Sequence, residues 1–219
     1  MKSTAKDALD ELLVHVHGDG EVPEAWVAAH APDGSLEALW TRCEHVGLLM
    51  NVAALALDHP TLVRAACACA RLVVKHLPVE RQQEADAALD AAERWARGEV
   101  DLDELAAAAE AVEHTYANAE PLVPLLATAA AAVDAAVSTA ATAAGLDTRW
   151  YDTRQTTEAA GHAVLCAAGA LDWADPNGGE GKSDIELCPL LAAVLREHLP
   201  CPTLDQVRRG FEEMLERDL

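Results

Sequence analysis

Three pairs of cysteine and histidine residues are the parts of this sequence that could bind metal or take part in acid–base chemistry. They are Cys67 with Cys69, His15 with His17, and His162 with Cys166. The first pair lies in a stretch predicted to be helical, where side chains two residues apart point about 200° apart around the axis. Their two thiolates therefore cannot reach one ion. The second pair precedes a Gly-rich turn at 18–20, and histidines beside a turn are common without any metal.

The third pair, His162 and Cys166, shares one face of a predicted helix because the two residues are four positions apart. The sequence offers no third ligand and no base beside them, so packing in the core is the favoured interpretation. The chain also lacks the patterns E-x-x-H, H-E-x-x-H, G-x-x-x-x-G-K-S/T and G-x-S-x-G. We therefore expect no catalytic residue, no bound metal and no cofactor, which means that the protein is not an enzyme.

The composition indicates an all-α fold. Of the 219 residues, 51% are hydrophobic, many of them alanine, and only 4% are aromatic. Alanine is the strongest helix former and is depleted in strands. No segment alternates polar and apolar residues with the period of two that a strand requires. We predict a multi-helix bundle or array of about eight to ten helices.

The expected location is the cytoplasm. The first twenty residues carry charges and lack the apolar stretch of a secretory signal. The longest apolar run, 122–146, is mostly alanine and is interrupted by Asp134, so it is too weakly hydrophobic to span a membrane. The six cysteines are expected to be reduced and packed rather than paired in disulfides.

A helical hairpin at 84–117 is the best-defined local prediction. Gly98 can adopt the left-handed conformation that ends its first helix, and Asp101 can cap its second. The first helix places Trp95 on its inward stripe. The second is predicted to put Leu105, Ala109, Val112 and Tyr116 inward, and Asp103, Glu110 and His114 outward. The five tryptophans, one per predicted helix, are expected to anchor the core: Trp26, Trp40, Trp95, Trp150 and Trp173.

Turn-forming residues divide the chain late in the sequence. Residues 175–182 are predicted to be a linker, which separates an Ala-rich helical domain at 1–174 from a C-terminal helical hairpin at 183–219. Two capping-box patterns, Ser183 with Glu186 and Thr203 with Gln206, predict where the two helices of this hairpin begin. The hairpin is expected to be packed on the first domain or appended to it.

The net charge of −21 is extreme for a chain of 219 residues. It disfavours binding to nucleic acid or to an anionic membrane, and it attracts basic partners. Residues 98–148 contain no Lys or Arg. Within them, Asp103, Glu110 and Glu113 are the predicted partner-binding residues. Two alternatives stay open: these acids could face basic residues of the same chain (Arg64, Arg71 and Lys75), or the acidity could serve only solubility.

Several segments together resemble the α-helical immunity proteins of bacterial polymorphic-toxin systems. The most specific is the hinge Trp95-Ala-Arg-Gly98-Glu. The others are Cys67-Ala-Cys69-Ala-Arg71-Leu-Val, His76-Leu-Pro78, Ala88-Leu-Asp-Ala-Ala-Glu-Arg-Trp95 and Gly161-His162-Ala163-Val164. The resemblance covers about residues 36 to 174. It implies a non-enzymatic helical protein that binds and neutralises a cognate toxin.

The leading functional prediction is therefore an immunity protein whose acidic helical surface occludes a toxin, with a basic toxin such as a nuclease fitting that surface best. A second hypothesis is a small helical enzyme or metal-binding protein that uses His162 and Cys166. A third is a structural adaptor or homo-oligomer built on alanine-rich faces. The three differ in what they need: a protein partner, a metal or substrate, or a second copy of the chain.

Overall fold

The computed structural model describes residues 35–117, 124–146, 156–174 and 188–217, and every regular element within these ranges is an α-helix. The predicted all-α class and the number of helices are confirmed for this part of the chain. The predictions for Trp26, Trp150 and the linker at 175–182 lie outside it. The helices are α1 (Leu36–Arg42), α2 (Val46–Ala56), α3 (His59–Val74), α4 (Val79–Ala96), α5 (Leu102–Ala117), α6 (Pro124–Ala143), α7 (Thr156–Ala174), α8 (Pro189–His198) and α9 (Leu204–Arg217).

Helix α3 lies at the centre and packs against α4, α6, α7 and α8. Asp58 caps its N-terminus by accepting a hydrogen bond from the backbone N–H of Thr61 at 2.8 Å, and Pro60 occupies its first turn. Leu62, Ala66 and Val73 are buried on one side of this helix, and Cys67 and Val74 are buried on another. A helix that is apolar on more than one side can be covered by several neighbours at once, which explains its central place.

Helices α6 and α7 pack closely because their contact surfaces are built from alanine and glycine. Most alanines of both helices are fully buried. Gly169 on α7 faces Thr128 on α6 so closely that a Cβ there would lie 3.6 Å from the Thr128 methyl group. The buried hydroxyls of α6 stay within their own helix: Thr139 donates to the carbonyl of Ala135 at 2.7 Å and Thr142 to that of Ser138 at 2.8 Å. These two hydroxyls therefore need no partner on another helix. Thr156 Oγ1, at the start of α7, is buried without a hydrogen-bond partner in the described structure.

The predicted hairpin of α4 and α5 is present. Gly98 has φ of +73°, and the N–H groups of Gly98 and Glu99 donate to the carbonyls of Trp95 and Arg94. This is the Schellman pattern that ends a helix. Asp101 accepts from the backbone N–H of Glu104 at 3.0 Å, so the predicted cap on α5 is confirmed.

Burial of the aromatic anchors differs from the prediction. Trp40 is 5% exposed and belongs to the core, and Trp95 is half-buried against it. Trp173 is 37% exposed, so the prediction that it anchors the core is wrong. Trp173 lies in the last turn of α7.

Helices α8 and α9 pack on the rest of the described helices, mainly through α2 and α3. The Thr203–Gln206 capping box is confirmed in both directions, at 2.8 and 3.2 Å. The Ser183–Glu186 pattern lies outside the described residues. Helix α8 begins at Pro189 with Cys188 as its N-cap, so the prediction that this helix begins at Ser183 is wrong. Leu191 and Val207 are buried in the common core, and Arg196 donates to the carbonyl of Cys43 at the end of α1. Among the described helices, none combines the length and the apolar character needed to cross a membrane.

Candidate functional site

The acids of α5 lie on the face of the helix that points away from the core. Asp103 and Glu110 are exposed, whereas Leu105 and Val112 of the same helix are buried. Asp103 and Glu110 are seven residues apart, which places them two turns apart on one face. Glu113 belongs to α5, but its side chain lies outside the described part of the structure. The inward and outward residues of α5 that the structure describes are thus those that the sequence predicted.

Arg71 on α3 contacts acids of α4. The alternative prediction had placed it against the acids of α5. Its guanidinium contacts three carboxylates of α4: Asp86 at 3.3 Å, Asp90, and Glu93 at 3.0 Å. Partial burial opposes the charge of Arg71, but its hydrogen bonds to Glu93 and Asp90 outweigh that cost, so its pKa lies above the usual value. We refer to these four side chains as the Arg71 cluster.

The other arginines near the hairpin are engaged as well. Arg94 on α4 pairs with Glu104 at the start of α5, and Arg97 forms a two-bond contact with Glu99 at 2.8 and 3.0 Å. Arg64 donates to the hydroxyl of Thr61 at 2.9 Å on its own helix. Arg71 thus faces acids of α4, Arg94 an acid in the first turn of α5, and Arg97 an acid of the α4–α5 connection. Asp103 makes no ion pair with any residue that the structure describes.

The Arg71 cluster was not predicted from the sequence. A signal was present, because Asp86, Asp90 and Glu93 follow one another at helical spacing on one face of α4. Three acids on one helix face indicate a cation opposite them. Nothing in the local spacing, however, says that this cation comes from α3.

His162 and Cys166 are brought together on α7, with 3.3 Å between His162 Nε2 and Cys166 Sγ. His162 is exposed and Cys166 is half-buried, so the prediction that both pack in the core is wrong for the histidine. Burial raises the pKa of Cys166 to about 11, and the charge of Asp134 on α6 adds to the shift. A thiol with so high a pKa is protonated at neutral pH, unlike the thiolate of a cysteine nucleophile.

Cys67 and Cys69 are fully buried in the core, and burial raises the pKa of each thiol well above its usual value. Neither can reach solvent or an incoming ligand, which agrees with their prediction as packed residues. Across the residues described here, no group of three or more His, Cys, Asp or Glu side chains is arranged to hold a metal ion.

The geometry therefore presents two features that could act on other molecules: the acidic outer face of α5 and the His162–Cys166 pair. The first is a surface, suited to electrostatic attraction. The second is a pair of ligand atoms near solvent. Comparison of the chain with protein-family models, with curated proteins and with solved structures finds no match.

Proposed function

We propose that the protein binds and neutralises a cognate bacterial toxin, acting as a non-enzymatic immunity protein in the cytoplasm. The outer face of α5, with Asp103, Glu110 and Glu113, would contact the partner. The observation that carries the proposal is the exposure of Asp103 and Glu110 on a hairpin in which Arg94 pairs with Glu104 and Arg97 with Glu99. The carboxylate of Asp103 is therefore available to a molecule outside the chain.

The hairpin is well suited to presenting a fixed pattern of charge. Its α4 is held to α3 by the Arg71 cluster, and its connection is closed by Gly98 and the Asp101 cap. A surface that does not have to order itself on binding loses little conformational entropy. The rigid hairpin thus favours binding to a basic surface of a folded partner.

The electrostatics predict the class of partner. A chain with a net charge of −21 and an uninterrupted acidic segment draws a positively charged protein toward it over long range. A nuclease with a basic substrate groove has this property, since its groove must attract phosphate. Covering that groove would block the enzyme without any reaction on the part of the inhibitor.

The link to toxins, as distinct from basic proteins in general, rests on the resemblance of residues 36 to 174 to α-helical immunity proteins. Its most specific segment, the hinge from Trp95 to Gly98, has a structural part in the chain: Gly98 ends α4 with a left-handed residue. The hinge therefore supports the proposed fold more than the proposed partner. The partner has to be identified from the gene next to this one, which would encode the toxin.

The test is a binding measurement with the product of that neighbouring gene. The variant Asp103→Lys/Glu110→Lys/Glu113→Lys is expected to associate about tenfold or more slowly at low salt, with a smaller change in dissociation. The difference should shrink as salt is added, because salt screens exposed charges.

A matched control reverses three exposed acids elsewhere, Glu37, Glu197 and Glu212 on α1, α8 and α9. It changes the net charge of the chain by the same amount. If both variants lose association rate equally, the net charge and not the α5 face attracts the partner. If neither loses it, the α5 face does not bind the toxin.

A further inference from the structure

The His162–Cys166 pair has the geometry of a two-residue metal chelate. The two side chains lie one turn apart on α7 with their Nε2 and Sγ atoms 3.3 Å apart. A zinc ion about 2.0 Å from an imidazole nitrogen and about 2.3 Å from a thiolate holds the two ligand atoms about 3.5 Å apart at the tetrahedral angle. The observed distance is within a few tenths of an ångström of that value.

Helical spacing of four residues is itself a metal-binding arrangement, because it places two ligands on one face within reach of one ion. Imidazole nitrogen and thiolate sulfur are the ligand types that zinc and its soft neighbours prefer. Exposure of His162 and partial exposure of Cys166 leave a path from solvent to the ligand atoms. The buried pair Cys67 and Cys69 has neither property.

The surroundings favour a cation. Helix α6 packs against α7, and Asp134 on α6 lies close enough to Cys166 for its charge to act on the thiol. When an ion binds, the thiol proton passes to the buffer and a sulfur–metal bond forms. The resulting thiolate balances one of the two positive charges of the ion.

We propose that His162 and Cys166 bind one divalent zinc-type cation through Nε2 and Sγ. Water molecules complete its coordination, since no third side chain among the described residues joins the pair. Two protein ligands make an exchangeable site, unlike the closed four-ligand centres that hold structural zinc. The proposal is independent of toxin binding.

Cobalt(II) is the probe, because it replaces zinc and its bond to a thiolate gives a charge-transfer absorption in the near ultraviolet. Titration of the reduced full-length protein is expected to produce this absorption, to saturate at one equivalent and to lose it when zinc is added. In Cys166→Ser the absorption should disappear. In His162→Ala the affinity should fall about tenfold or more, because one of two ligands is lost.

The chain offers a matched control at Cys201, an exposed thiol with His198 three residues before it. Cys201 Sγ donates to the carbonyl of Pro202 at 3.6 Å, and Cys201→Ser should leave the titration unchanged. Unfolding midpoints of all variants, followed by circular dichroism, exclude misfolding as the cause. The proposal is overturned if Cys166→Ser keeps the absorption, if His162→Ala binds cobalt as tightly as the parent, or if the folded parent gives no absorption.

Discussion

Arg71 on α3 lies 3.0 Å from Glu93 on α4, and the same guanidinium reaches Asp90 one turn earlier and Asp86 two turns earlier in that helix. One cation thereby offsets part of the repulsion among three carboxylates. Glu93 is 23% exposed and Arg71 31% exposed, so water screens this contact less than it screens a surface pair. The cluster joins the central helix to the hairpin that carries the proposed binding face.

Replacing Arg71 with methionine should therefore lower the free energy of unfolding by about 1–3 kcal/mol, because the half-buried carboxylate of Glu93 loses its charged partner. Urea denaturation measures the change. Arg64→Met is the control on the same helix, since Arg64 bonds only to the hydroxyl of Thr61 among the contacts seen. Arg64→Met should lower the free energy of unfolding by less than about 1 kcal/mol. Equal losses in the two variants would show that the cluster contributes no more than an ordinary surface contact.

Gly98 and Gly161 should respond in opposite directions to the same change. Gly98 has φ of +73°, and a Cβ added there would have no atom within 4 Å. Gly98→Ala therefore adds only backbone strain, which should lower the free energy of unfolding by about 1 kcal/mol. Gly161 lies in α7 and also has open space at Cβ, so Gly161→Ala should stabilise the protein by about 0.5–1 kcal/mol. Thermal and urea unfolding of both variants provide the comparison. A stabilising effect of Gly98→Ala would contradict the left-handed assignment.

Local chemistry explains which features could be predicted from the sequence. The Gly98 terminus, the Asp101 cap and the Thr203–Gln206 box each depend on residues within five positions, and all three are present. The alternation of buried Leu105 with exposed Asp103 follows from helical periodicity alone. Features of this kind depend on residues that are close in sequence and do not require contacts between helices.

Features that depend on distant residues could not be predicted in the same way. Asp90 and Arg94 have the four-residue spacing of an ion pair within one helix, but Asp90 binds Arg71 instead, while Arg94 binds Glu104. The local pair is weak, so a partner from another helix displaces it. Likewise, the exposure of His162 depends on which helices cover α7, and no residue next to it in the sequence carries that information.

Gly210 should be among the least tolerant positions of the chain. A Cβ at this residue would lie 1.6 Å from the backbone oxygen of Leu55, so α9 would have to move away from α2. Gly210→Ala is expected to cost about 2 kcal/mol or more and to expose α9 to limited proteolysis. Gly169→Ala is the control, because its Cβ would lie at an ordinary 3.6 Å from Thr128. If both variants resist protease equally, the close crossing of α9 and α2 is not required.

Protonation of His76 should lower the stability of the protein as pH falls. Burial lowers its pKa, with the positive charge of Lys75 adding to the effect, and its Nε2 is buried without a hydrogen-bond partner in the described structure. The unfolded chain takes up the proton near the usual histidine pKa of about 6.5, whereas the folded chain takes it up only at lower pH. The stability present above about pH 6.5 is therefore lost as pH falls toward the pKa of the folded state.

The measurement compares His76→Leu with the parent across pH 7.5 to about 5 by urea unfolding. Removal of the titrating group should flatten the decline, so that the variant gains relative to the parent as pH falls. Parallel curves for the two proteins would mean that His76 does not contribute to the acid sensitivity.

Charge reversal of the α4 acids should lower the free energy of unfolding more than charge reversal of the α5 acids. This comparison separates an effect on folding from an effect on binding. Asp90→Lys/Glu93→Lys places two cations against Arg71 and should lower the free energy of unfolding by about 2 kcal/mol or more. Asp103→Lys/Glu110→Lys alters two exposed side chains and should cost about 1 kcal/mol or less, part of it from Asp103 in the first turn of α5. Urea unfolding of the two double variants, which carry equal net charge, gives the comparison. If the α5 pair is as destabilising as the α4 pair, those acids hold the fold together, and slower partner association in their variants could no longer be assigned to a binding surface.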